Sequence, residues 1–119
     1  MPSAKVDVGG ETPANLNDLM LKLFWKETLM AEKAAEFLNY IKEWGRTETP
    51  YRVNQWENYC LRHNMTQSKY HNMLKRLRRA GLVTKKYNKT KRVHELFLSD
   101  AFSKHLDEMS KIWNTYTRA

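Results

Sequence analysis

From Arg62 to Arg92 the chain carries eleven Lys or Arg and no Asp or Glu. Acids are missing from residue 58 to residue 94, between Glu57 and Glu95. Unpaired ions taken out of water cost several kcal/mol each, so charges this dense cannot be packed inside. The stretch must fold with its cations outward and with only its few apolar residues facing a core. The whole chain has a formal net charge of +8, from 21 basic and 13 acidic residues. Removing the eleven leaves 10 basic against 13 acidic, so all the excess charge sits in about a quarter of the chain. A solvated face usually mixes both signs. A concentrated field of one sign is what a polyanion responds to.

The apolar residues in the stretch dictate how it folds. Tyr70, Met73, Leu74 and Leu77 recur at i, i+3, i+4 and i+7, the spacing of one helix face. Thr66 is placed to cap that helix and Gly81 to stop it, which predicts a helix over Thr66 to Ala80. The opposite face holds Ser68, Asn72, Lys75 and Arg79, flanked by His71 and Arg76. Leu82 to Tyr87 and Lys91 to Leu98 are β-capable runs joined by Asn88-Lys89-Thr90, which predicts a hairpin. Its tip gathers Lys85, Lys86, Lys89, Lys91 and Arg92.

On the N-terminal side, Met1 to Ala14 has Pro, Gly and no periodicity and reads as a flexible tail. Asn15 is a candidate cap. Leu16, Met20, Leu23, Met30, Ala34, Phe37, Ile41 and Trp44 then follow a helical spacing broken at Glu27. This allows one helix about 43 Å long at ~1.5 Å per residue, or two helices with a break near Lys26 to Thr28 and Thr28 as the second cap. The first half, Leu16 to Trp25, is apolar enough to call for cover by a partner subunit. Gly45 ends the helical pattern, and Arg46 to Arg52 reads as a loop around Pro50. Val53 to Arg62 reads as a short helix bearing Trp56, Tyr59 and Cys60 on one face, and His63-Asn64-Met65 as a tight turn. At the far end Ser99 is a candidate cap, with Asp100 in the first turn. Phe102, Leu106, Met109, Trp113 and Tyr116 are spaced 4, 3, 4 and 3, a two-heptad seam. Phe102 and Leu106 suit packing on their own subunit equally well; Trp113 and Tyr116 suit a second one.

Composition narrows the class further. One domain, residues 15–119, is expected from 119 residues of which 41% are hydrophobic. The lone Cys60 excludes an internal disulfide framework and fits a reducing compartment. No run is long enough to span a bilayer and no signal peptide is visible, so a soluble cytoplasmic, nucleoid-associated protein is expected. His63, His71, His94 and His105 have no zinc spacing with Cys60, and no Gly-rich phosphate loop exists. An enzyme is not expected, nor a metal, a cofactor or a small-molecule ligand.

The order helix, short helix, turn, basic helix, two-stranded hairpin, C-terminal helix resembles the winged helix-turn-helix superfamily of DNA-binding proteins. The likeness is carried by Trp56 to Leu98. It is clearest from Tyr70 to Val83, where a helix ends at Gly81 and enters the first wing strand. The added N- and C-terminal helices resemble PadR- and MarR-type regulators and small archaeal plasmid DNA-binding or partition proteins. The resemblance implies a mainly α fold with a small β-hairpin. It implies a recognition helix in the major groove of double-stranded DNA, offering Gln67, Ser68, Lys69, His71, Asn72 and Lys75 to base edges. Arg76, Arg79 and a wing of Lys85, Lys86, Asn88, Lys89, Lys91 and Arg92 would hold phosphates, helped by Tyr87 and by Arg62 or His63. Arg78, nearer the apolar flank, would snorkel over Tyr70 or Trp56, and His94 and Tyr70 would be structural. A homodimer is expected, held by Leu16, Met20, Leu23, Met109, Trp113 and Tyr116. A sequence-specific transcriptional regulator, a DNA-spreading partition or architectural factor, and a winged-helix protein-interaction module all remain compatible with these residues.

Overall fold

A computed structural model of the protein describes residues 12–24, 27–46 and 49–119. The expected tail lies largely outside these residues. The fold is mainly helical with one small antiparallel sheet. Helix α1 (Leu16–Leu23) leads to α2 (Thr28–Trp44), a short strand β1 (Tyr51–Arg52), and a 3-10 turn over Val53–Gln55 that runs into α3 (Trp56–Arg62). Then come α4 (Gln67–Arg79), the hairpin β2 (Val83–Asn88) and β3 (Val93–Leu98), and α5 (Ala101–Arg118). The sheet order is β1-β3-β2. This is the mainly α fold with a small β-hairpin expected from the sequence, the hairpin being widened to three strands by β1.

The region of residues 16–44 is two helices. Asn15 caps the first, its Oδ1 accepting from the Asp18 amide at 2.9 Å. Thr28 does not cap the second: it is the first residue of α2, and Glu27 holds the cap position without a side-chain bond. The break folds α1 back on α2, which buries Met20, Leu23 and Phe24 within the same chain. The apolar surface expected to need a second subunit is thus covered internally. Met20 (0% exposed) and Leu23 (6%) are core residues and not dimer contacts, and Leu16 packs half-buried against the same core.

Strand β1 replaces the expected loop. Two residues cannot display an alternation, so nothing in their pattern announces a strand. Tyr51 pairs with Leu96 and Arg52 with Glu95, and the Tyr51 ring enters the core. There Phe37 is met edge-on by Tyr51, Tyr59 and Tyr70, with ring centroids 5.6, 5.0 and 5.5 Å away. The hydroxyls of Tyr51 and Tyr70 share a buried hydrogen bond of 2.7 Å. Tyr70 is therefore structural, as expected.

Burial raises the pKa of all three phenols above the ordinary value of 10. Tyr70 is pushed up to about 12, and Tyr51 and Tyr59 go beyond that. A phenol with a raised folded-state pKa holds its proton longer in the native state than in the unfolded chain. Its contribution is complete below pH ~10 and is lost as pH climbs toward the folded value. Urea unfolding followed by circular dichroism should show stability dropping between about pH 10 and 12. The fall should be shallower in a Tyr51→Phe/Tyr70→Phe variant.

Candidate nucleic-acid interface

Helix α4 is positioned by local chemistry at both ends. The Thr66 hydroxyl accepts from the Lys69 amide at 3.2 Å, the expected cap. Before it, Asn64 takes a positive φ of 52° and Met65 N–H reaches Cys60 O at 3.0 Å, closing α3 with a left-handed cap. After α4, Gly81 (φ 82°) does the same, with Leu82 N–H bonded to Leu77 O at 3.0 Å. The buried face is Tyr70, Met73, Leu74 and Leu77, as the spacing predicts.

The two flanks of α4 differ. One faces strand β2 across an open groove of about 690 Å³. His71, Asn72, Lys75, Arg78 and Arg79 line one wall and Thr84 and Lys85 the other, with Val53, Leu74 and Val83 as apolar floor. Four cations and no carboxylate line this groove. The geometry thus gathers Lys75, Arg79, His71 and Asn72 with Lys85, five of the residues singled out from the sequence.

Arg78 joins them rather than snorkelling over the core. Its place was available from spacing, since His71, Lys75 and Arg78 stand at i, i+4 and i+7. Gln67, Ser68 and Lys69 are exposed on the first turn of α4 but do not line the groove. Lys69 instead borders a separate cleft of about 220 Å³, with Lys33, Leu29 and Met65 among its walls.

The other flank is closed by α1 and α2. Arg76 pairs with Glu27 and its guanidinium lies over the Phe24 ring, 5.1 Å from the centroid. Its side chain is 25% exposed. Arg76 is therefore a clasp between α4 and the α1–α2 junction and not a phosphate ligand. His63 is likewise committed. It stacks on Tyr59 at 4.1 Å, and its carbonyl accepts from Lys33 Nζ at 2.7 Å.

In the wing Lys85, Lys86, Lys89, Lys91 and Arg92 are exposed, and the turn closes with Arg92 at a φ of 55°. Asn88 is not a surface contact. Its amide donates to the Glu95 carboxylate at 3.3 and 3.4 Å, and its Oδ1 accepts from the Lys91 amide at 3.0 Å. Glu95 is 6% exposed. It sits between Arg52 on β1 and Lys86 on β2 in the sheet register. Through the Asn88 amide this buried carboxylate ties β2 to β3, a role that Glu95's place at the edge of the acid-free stretch did not reveal. His94 packs beside Tyr87 at 5.0 Å, both exposed on the hairpin.

The match to one archaeal family covers residues 13–117, from before α1 to the last turn of α5. The chain belongs to that archaeal family. No curated protein and no solved structure matches the chain significantly.

Among the described residues no three His, Cys, Asp or Glu gather as a metal site. Burial raises the pKa of the Cys60 thiol, which weakens it as a nucleophile. No described helix is long and apolar enough to cross a membrane.

Proposed function

We propose that this protein binds double-stranded DNA in a sequence-dependent way, as a non-enzymatic transcriptional regulator of the winged helix-turn-helix type acting as a homodimer on the nucleoid. The observation that carries the reading is the groove between α4 and β2, with Lys75, Arg78, Arg79 and Lys85 on its walls and no acid among its lining. Helix α4 enters the major groove. Gln67, Ser68, His71, Asn72 and Lys75 meet base edges, where amide and imidazole groups supply directional donors and acceptors. Arg78, Arg79, Lys85 and the wing tip hold phosphates and fix the register. Two copies related by a two-fold axis present two such helices to half-sites roughly 34 Å apart, one turn of the duplex.

A protein-interaction module has no use for an acid-free groove, so charge favours DNA. The test is a Lys75→Ala/Arg79→Ala variant assayed by fluorescence anisotropy on genomic duplex fragments. Losing two contacts worth ~1–3 kcal/mol each should weaken binding by 30-fold or more, roughly. Both side chains are exposed, and the urea midpoint of the variant is measured alongside so that affinities are compared between folded proteins. Unchanged affinity in a folded variant refutes the groove as the interface.

A further inference from the structure

We propose that α5 pairs antiparallel with α5 of a second copy of this chain, with Met109 on the two-fold axis. This deepens the homodimer of the preceding section and does not depend on DNA.

Five of the ten exposed large hydrophobic residues of the described chain lie on this one helix. Leu106 is 40% exposed, Met109 57%, Ile112 70%, Trp113 63% and Tyr116 72%. The Trp113 and Tyr116 rings stack on each other, centroids 5.6 Å apart, on the free end of the helix. At ~150–250 Å² for a fully exposed aromatic, the stripe presents about 600 Å² of apolar surface. That is the upper end of the largest patch a monomer usually leaves in water. Two such stripes together bury about 1,200 Å², the lower bound for a specific, stable interface.

The face selects its occupant. Beside the seam stand Ser103, His105, Ser110, Ile112 and Thr117, with no carboxylate, Lys or Arg. The charged residues Lys104, Asp107, Glu108 and Lys111 point to the outer side by spacing. A stripe without charged flanks carries no code for a partner of opposite charge and is complementary to itself.

The direction follows from how the helix is rooted. Among the described residues its first turn is what holds to the body: Phe102 N–H donates to Gly81 O at 3.0 Å, and the Phe102 ring packs against the core. Beyond it the helix runs free, and the radius of gyration, 15.8 Å, exceeds the ~13.5 Å of a compact chain this long. Parallel pairing would set the two roots at the helix spacing of ~8–10 Å and crowd both bodies at one end of the pair, and the whole chain is 28 Å across in its shortest dimension. Antiparallel pairing puts the bodies at opposite ends of a helix about 27 Å long. It also opposes the two helix dipoles favourably. Phe102 then meets the partner's Tyr116, and Leu106 meets the partner's Trp113.

The test needs no DNA. Ser103→Cys and Thr117→Cys variants, each alone and as an equal mixture, are treated with a bis-maleimide spanning about 10 Å. Both positions are exposed, and buried Cys60 does not compete. Antiparallel pairing links position 103 to position 117 of the partner and no position to itself. Dimers should thus be cross-linked several-fold more in the mixture than in either variant alone. Light scattering should show a dimer for the unmodified chain and a monomer for Trp113→Lys with unchanged circular dichroism. Self-linked single variants overturn the direction. A monomeric unmodified chain, or a dimer that links in no combination, overturns α5 as the interface. Cross-linking as expected with no DNA affinity leaves this pairing standing and removes only the DNA reading.

Discussion

Between 50 and 200 mM salt the affinity for duplex DNA is expected to fall by ~10³–10⁵, if six to ten phosphates are neutralised. Each phosphate met by Lys or Arg releases condensed counterions, so log affinity falls against log salt with a slope of about −0.9 per contact. The groove supplies Lys75, Arg78, Arg79 and Lys85, and the exposed wing adds Lys86, Lys89, Lys91 and Arg92. Not all eight count equally. Lys86 lies over the Phe97 ring, 5.4 Å from its centroid, and is the cross-strand partner of Glu95. That ring contact competes with a phosphate for the Lys86 ammonium. Replacing Lys89 and Lys91 with Ala should flatten the slope by about two and weaken all sequences alike. Replacing Asn72 should instead change which sequence binds best, with little effect on slope. Anisotropy titrations at four salt concentrations separate these outcomes. A salt-independent affinity would mean that the basic groove serves some other partner.

The parts of this fold that were legible in the sequence are those set by local rules. Thr66 and Gly81 bound a helix because a cap oxygen and a left-handed glycine act within one turn. The apolar face of α4 and the hairpin came from periodicity. The hairpin ends differ slightly, since the ladder runs from Val83 to Asn88 and from Val93 to Leu98. What was misread depends on contacts distant in sequence. A helical wheel puts Arg76 on a polar flank and says nothing of Glu27, 49 residues earlier, which meets it because the start of α2 packs beside α4. The folding of α1 back on α2 turned Met20 and Leu23 from candidate interface into core. Asn88 looks like a wing contact until the register places Glu95 within reach, seven residues on. Tyr51 sits in a strand too short to have a pattern, yet it completes the aromatic cluster around Phe37. Local signals therefore serve α4 well and its flanks poorly, because only the tertiary fold decides which flank meets β2.

Gly81→Val should be among the most damaging single substitutions away from the aromatic core. The residue has a φ of 82°, where a β-branched side chain is strained by ~1–2 kcal/mol. Space is the harder constraint. A Cβ at Gly81 would stand 2.8 Å from the Phe102 backbone nitrogen and 3.2 Å from the carbonyl carbon and Cβ of Ala101. These are mostly backbone atoms at the root of α5 and cannot swing aside. Relief needs α5 to shift as a unit, which breaks the bond from Phe102 N–H to Gly81 O and lifts the Phe102 ring from the core. Overpacking of this kind adds ~1–3 kcal/mol, for a total of roughly 2–5 kcal/mol. Against the ~5–15 kcal/mol of a typical domain this is a large fraction. Urea unfolding should show a midpoint lowered by a third or more, roughly. Gly81→Ala, with the same contact but less strain in the side chain, should fall between. A Gly81→Val protein as stable as the parent would mean that α5 is not seated against this turn. The α5 pairing would then lose the fixed root from which its direction was derived. If the midpoint falls as expected, dimerisation through α5 should suffer with it, because the same glycine sets both the end of α4 and the seat of α5.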